Sequence, residues 1–529
     1  MELQLPSLFL LLVPILLLPL LAIVTRSSRR SDLPPGPPRL PIIGSLHYLA
    51  TALPHRALAA LAGTYGPLML LRIGQIDLAV VTSREVAEAV LKTHDTKFAF
   101  RPELAAPKII TYGYTDIVFA PHSTYWRQLR RICIMELLSA KRVKSFSLLR
   151  TEEIAGFLKD IAGTAARQTP VNISLKLMSL ANNIVCRATF GKMFKQQSRF
   201  LVIIREAVVL ASGFGTSDLF PSLRSLDVMM TRKIAKIHGE MDAIINDTIQ
   251  DHQERPQRLD GEEDLLDVLL KAREQKDLEV PITLENVKAV MLDMFAAGTE
   301  TSSTLTEWVM SELIKNPNIM AKAQQEVREA FKEKDKIEEH DISKLNYLQL
   351  IIKETLRLHP SVPLLVPRVC QETCSILGYT VPAGTRVVIN AWALGREPKY
   401  WEDPEKFMPE RFEGNSIDYK GSNFAFLPFG AGRRICPGIT FGLATVEFAL
   451  AELLFYFDWK LPCDMKIEDL DMTETLGITA PRKEPLHLIA IRGFRCRSNK
   501  KNHLLEVCIN FMFRIIEGCV LSYNIDPCI

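Results

Sequence analysis

No charge of one sign dominates this chain: 64 basic residues stand against 61 acidic ones among 529. That balance leaves no electrostatic footprint for a polyanion, so nucleic-acid binding is not expected. Cysteines are few, ten in all, and rarely closely spaced. Such usage suits a reducing compartment rather than a disulfide scaffold. Cys370 and Cys374 lie four positions apart, but no second pair or histidine cluster completes a tetrahedral metal site, so both read as structural. After Gly44 the chain has no long linker, internal repeat or low-complexity tract. It reads as one compact unit, although its length alone would allow roughly two to four domains.

What is present begins with an apolar N-terminus. Leu5 to Val24 carries no charged side chain, and about 20 such residues cross a bilayer as a helix. Pro14 and Pro19 are tolerated in such helices. Arg26, Arg29 and Arg30 follow, and only Glu2 precedes, so the positive-inside tendency places the rest of the chain in the cytosol. A cleaved signal peptide would carry its basic residues before the apolar run. Residues 1–32 are therefore expected to be a membrane anchor with a basic flank. Pro34-Pro35-Gly36-Pro37-Pro38 then favours an extended, semi-rigid spacer. With the body in the cytosol, the sequons at Asn172 and Asn246 are expected to stay unmodified.

Helical periodicity dominates from about Leu58 to Ser361, while Leu68–Ile73 and Ile76–Val81 alternate as strands. The polar stretch from His252 to Glu263 reads as a surface loop. A last apolar helix is expected from about Phe441 to Phe457. The fold class is mainly α with small β-sheets.

The densest chemical signal is Phe429-Gly430-Ala431-Gly432-Arg433-Arg434-Ile435-Cys436-Pro437-Gly438. Its three glycines let backbone approach a flat ligand closely. Arg433, Arg434 and a nearby helix N-terminus would favour the thiolate of Cys436. The stretch resembles the cytochrome P450 signature, Phe-x-x-Gly-x-Arg-x-Cys-x-Gly, with every defined position matched. The resemblance implies the P450 fold, haem b as cofactor and Cys436 as the iron ligand. A thiolate ligand pushes electron density onto haem iron and favours O–O cleavage. Phe429 would then shield the sulfur, Gly430 and Gly438 would border the cofactor, and Arg434 would pair with a propionate.

Thr283 is a plausible N-cap for a long helix ending near Asn316, before Pro317. Midway lies Ala297-Gly298-Thr299-Glu300-Thr301. Thr301 can bond back to the carbonyl of Ala297, four residues earlier, and distort the helix. Gly298 would ease that distortion and leave space for a diatomic ligand. The segment resembles the P450 helix that crosses the distal haem face. That implies a proton-relay role for Thr301, fed by Glu300.

Three further elements carry the resemblance. Glu354 and Arg357 are three apart on one helix face, and with Pro409-Glu410-Arg411-Phe412 they resemble the family's structural ion-pair network. Trp126 and Arg130 match the Trp-x-x-x-Arg element that holds a propionate, and Arg368 is implied as a second contact. Arg127, Arg131 and Arg433 could form a docking face for an acidic electron donor.

From Pro34 to about Ile491 the chain is similar to plant microsomal P450s of specialised metabolism, in particular premnaspirodiene-oxygenase-like members. The implied enzyme uses dioxygen and electrons from NADPH, delivered by NADPH–cytochrome P450 reductase at the endoplasmic reticulum membrane. Its substrate would be an apolar small molecule, a sesquiterpene or diterpene first. Alkaloid or phenolic substrates remain alternatives, as does a haem-binding protein without turnover. Substrate-facing segments by resemblance are Ile109–Phe119, Phe295–Ala296, Ser361–Val366 and Leu476–Ile478. Two features depart from the family. His122 follows Pro121 where tyrosine is usual, and a cysteine-bearing tail, 496–529, extends beyond an expected haem domain of 33–495.

Overall fold

The computed structural model describes residues 32–50, 52–254, 263–334, 337–463 and 465–493. The expected anchor and the C-terminal tail lie outside the described residues, as does most of the expected surface loop.

Five helices position the site: α1 (Thr124–Ile132), α2 (Ile173–Phe190), α3 (Leu284–Lys315), α4 (Asn346–Leu358) and α5 (Ile439–Tyr456). At 32 residues α3 is about 48 Å long. Thr283 caps it by accepting from the Asn286 N–H, and Asn286 returns a bond to the Thr283 N–H. This reciprocal box satisfies two of the helix's otherwise orphaned donors. Pro317 opens the following helix, which fixes where α3 stops. The helix is buried on nearly every side, its polar residues included, because it runs through the core, packed along α2, α4 and α5. The last apolar helix begins two residues earlier than expected, at Ile439. It is long and apolar enough to cross a membrane, yet 67% of it is buried within the fold, as in a core helix.

The principal sheet has the order β1–β2–β4–β3, from β1 (Leu68–Ile73), β2 (Ile76–Val81), β3 (Arg368–Val369) and β4 (Arg386–Ile389). β1 and β2 form an antiparallel hairpin in which Ile73 faces Ile76. Gly74, at φ +57°, makes the turn. β2 and β4 pair in parallel, with Val81 beside Ile389. Alternation sorts the side chains onto two faces. Leu68, Leu70, Ala79, Val81, Val387 and Ile389 join one apolar cluster. Met69, Leu71, Ile73, Leu78, Val80 and Val388 join another. The expected strands are thus present, buried on both sides. A second sheet joins Phe457–Lys460 to His487–Arg492.

The expected ionic brace is also formed. Arg357 donates to both oxygens of Glu354 at 2.7 Å, and Arg411 Nε donates to Glu354 Oε1 at 2.9 Å. The Met408 N–H adds a bond at 2.8 Å. The Arg357 guanidinium lies over Trp401, which packs on Phe412 and Phe426. That stack leads directly into the cysteine loop.

Candidate active site

The cysteine loop is shaped by glycine. Gly430 and Gly432 sit at φ +69° and +68°, where other residues are strained. A Cβ on Gly432 would meet Leu91 O at 2.4 Å. The Cys436 N–H closes the loop on Phe429 O at 3.0 Å. Burial pushes the Cys436 thiol up, while the Gly438 N–H and the charge of Arg130 pull it down. The cation near the sulfur is therefore Arg130 of α1. Arg433 pairs with Asp95 at 2.8 Å, and Arg434 turns away to the carbonyls of Ala99, Ile117 and Ala120.

Cys436 borders a cavity whose unfilled space, with the open solvent at its mouth included, is about 1610 Å³. Phe429, Gly430, Pro437 and Gly438 form one part of its wall, and Ala297, Gly298 and Thr301 of α3 another. Thr301 Oγ1 donates to Ala297 O at 2.5 Å, the back-bond expected from the spacing. Gly298 has a second reason to be glycine: a Cβ there would lie 3.0 Å from Val185 Cγ2, on the crossing helix α2. Glu300 is not part of the cavity wall. Burial pushes its carboxyl up, and Thr479 donates to it at 2.9 Å.

Four arginines converge on this cavity: Arg101, Arg130, Arg368 and Arg434. Burial is the main effect on all four, lowering Arg434 to about 9 and Arg368 to about 10, and repulsion from neighbouring arginines adds to it for Arg101, Arg368 and Arg434. Arg101 is pushed well below its usual range by burial and by the charges of Arg434 and Arg368. Among the described residues, Asp95 is the one carboxylate bonded to any of them, accepting from Arg368 at 3.3 Å. A buried cationic cluster this poorly neutralised fits an anionic ligand. A flat macrocycle bearing propionates meets that requirement, with glycines along the wall and a thiol for its metal. Trp126 is buried on α1, its indole N–H donating to Ile117 O at 2.9 Å and its ring under the Arg434 guanidinium.

Asp95 and Arg101 carried no sequence signal, since each is a lone charged residue in an irregular stretch. Asp95 is 4% exposed and accepts from the Arg433 N–H and from two guanidinium groups, so it ties β3 to the cysteine loop. Of the expected substrate-facing segments, Ile117, Val118, Ser361, Val362, Leu365 and Val366 border the cavity. Phe295 instead stacks on Phe190 within a buried aromatic cluster, and Leu476 is 69% exposed.

The cytochrome P450 family profile matches residues 34–489. The chain is 51% identical over 471 residues to premnaspirodiene oxygenase of Hyoscyamus muticus, covering 88% of this chain and 93% of that one. It is 50% identical to 5-epiaristolochene 1,3-dihydroxylase of Nicotiana tabacum, covering 88% and 94%. It is also 50% identical to desmethyl-deoxy-podophyllotoxin synthase of Sinopodophyllum hexandrum, covering 87% and 92%. A zebrafish cytochrome P450 solved with progesterone superposes with a TM-score of 0.71 at 24% identity, covering 84% of this chain and all of that one. With that fold and these relatives, the chain belongs to the cytochrome P450 family, the haem-thiolate monooxygenases, within its plant clan of specialised metabolism.

Proposed function

We propose that this monooxygenase inserts one oxygen atom of O2 into a C–H bond of an apolar terpenoid, a sesquiterpene or diterpene, with Cys436 as the iron ligand. The observation that carries the reading is one cavity bordered at once by the Cys436 thiol, Thr301 of α3 and a cationic cluster, and otherwise mostly by apolar side chains. The two terpenoid-oxidising relatives favour the substrate class.

When bound, haem b supplies the iron that activates dioxygen and the propionates that neutralise buried cations. Cys436 holds the metal as thiolate, supported by the Gly438 N–H and by Arg130. Arg101, Arg130, Arg368 and Arg434 take the propionates, with Trp126 packed beneath Arg434. Phe429, Gly430 and Gly438 exclude water from the sulfur side. On α3, Thr301 donates its hydroxyl proton to Ala297 O, which leaves its oxygen lone pairs to accept from water in the cavity. Thr301 thereby orders the proton supply. Glu300, bonded to Thr479, serves that supply only after a side-chain rotation. Electrons come from NADPH through NADPH–cytochrome P450 reductase, docked where Arg127 and Arg131 are exposed on α1. The same reading makes 1–32 a single-pass endoplasmic reticulum anchor and 33–495 the haem domain.

The test is expression of the full chain in microsomes with reductase, NADPH, labelled dioxygen and a panel of terpene hydrocarbons that includes premnaspirodiene. The expected product gains one labelled oxygen. The reduced, carbon monoxide-treated protein shows the thiolate-type band, and Cys436→Ser abolishes it. Thr301→Ala retains that band but diverts NADPH electrons from product to peroxide. A normal band in Cys436→Ser, or full coupling in Thr301→Ala, would contradict these assignments.

A further inference from the structure

Two buried carboxyl groups meet beside the cavity; among the described residues no cation is hydrogen-bonded to either, although the charges of Arg101 and Arg434 act on Asp116 from nearby. Asp293 lies on α3, one turn before Ala297, and borders the cavity. Its Oδ2 accepts the N–H groups of Ile117 at 2.7 Å and Val118 at 3.3 Å. Asp116 is fully buried, and its Oδ2 accepts the Phe119 N–H at 2.9 Å. The two side chains are in hydrogen-bonding contact with each other. Yet Asp116 Oδ1 has no donor among the described residues. The Thr111 hydroxyl lies within hydrogen-bonding reach of Asp116 but donates to Pro107 O at 2.8 Å.

Carboxylates accept and cannot donate, so two ionised groups in contact would repel and leave that oxygen bare. One proton between them removes both problems. Burial, then the charge of Asp116, pushes Asp293 well above the usual carboxylate range, and burial raises Asp116 as well. The loop they hold needs holding. Tyr112, Gly113 and Tyr114 run consecutively at φ +52°, +80° and +64°, a conformation that two tyrosines disfavour. Tyr125 OH to Thr115 O, at 2.5 Å, is a second pin on the same loop.

We propose that Asp116 and Asp293 share one proton and thereby clamp the loop 111–120 onto α3. They act as positioning residues that set where Ile117 and Val118 stand in the cavity, and hence how a substrate lies against Thr301. The inference rests on the haem-cavity reading, and the carbon monoxide band tests that reading separately.

The experiment uses the haem-loaded full chain and three variants: Asp293→Asn, Asp116→Asn and Asp293→Leu. An asparagine at either site can donate to the remaining carboxylate, whereas leucine cannot. Amide hydrogen exchange of the 111–120 peptide is expected to rise about tenfold in Asp293→Leu and to stay within about threefold in the two asparagine variants. Binding of 4-phenylimidazole, followed spectroscopically, should accelerate in the leucine variant alone. At pH 8, wild-type minus variant infrared spectra should show a protonated-carboxyl band removed by either asparagine. Asparagine variants that open the loop as leucine does, a leucine variant with unchanged exchange, or no such band would each overturn the clamp. If Asp293→Leu fails to hold haem, the asparagine pair and the infrared band decide.

Discussion

Removing Glu354 tests the brace behind the cysteine loop with the sharpest expected magnitude. Glu354 is 0% exposed and Arg357 1%. The carboxylate accepts four bonds: two from Arg357, one from Arg411 and one from the Met408 N–H. In Glu354→Leu the Arg357 guanidinium stays buried. It keeps its bonds to the carbonyls of Gly395, Pro404 and Lys406 but loses its counter-charge. Breaking one side of a buried pair costs roughly 3–5 kcal/mol. That is a large part of the roughly 5–15 kcal/mol by which domains are stable. Because Trp401, Phe412 and Phe426 connect the brace to the loop, haem ligation should fail with it. The assay is the thiolate carbon monoxide band followed against time at a fixed elevated temperature, since a protein this large unfolds irreversibly. Glu354→Leu combined with Arg357→Met should outlast Glu354→Leu alone, because the second change removes the more deeply buried of the two stranded charges, leaving only Arg411. A single variant as long-lived as wild type, or a double variant no better than the single, would refute it.

Three other expectations follow from the same geometry. Arg101→Gln removes one of four clustered cations and should speed loss of haem to an acceptor protein by about tenfold, the scale of one charge-assisted contact. Gly432→Ala puts a Cβ 2.4 Å from Leu91 O at φ +68°. Overpacking and left-handed strain together cost about 2–5 kcal/mol, so this variant should accumulate haem-free, as the ratio of absorbance at the haem band to that at 280 nm would show. Burial, with Glu339 nearby, raises Glu447 to about 7 from 4.5. The fold favours its protonated form, so this contribution is complete below pH 4.5 and is lost as pH rises through 7, about 3 kcal/mol in all. Glu447→Gln should therefore gain thermal stability over wild type at pH 8 and not at pH 5, by melting curves at both.

Much of this protein was legible without coordinates because its signals are local. The Thr283 cap, the Thr301 bond to Ala297 O and the Glu354–Arg357 pair join residues three or four apart, a separation that helix geometry makes adjacent. The strands Leu68–Ile73 and Ile76–Val81 were read from alternation, but both of their faces are buried, and what the sequence carries there is a pair of short, mostly apolar runs. The ten-residue loop around Cys436 was recognisable from its own glycines and cysteine, although the cation acting on the sulfur, Arg130, comes from α1.

Tertiary structure decided what long-range packing assembles. It drew Arg101, Arg130, Arg368 and Arg434 from four separate stretches into one poorly neutralised cluster. It made Asp95 a tie between β3 and the cysteine loop, and turned Glu300 toward Thr479 and away from the cavity. It placed Asp116 against Asp293, two carboxylates that nothing in the chain marks as partners. Periodicity assigns a side chain to a face, but which charge meets which depends on how separate elements cross. That crossing is set by burial of the whole core, a sum over distant residues that no short window of sequence contains.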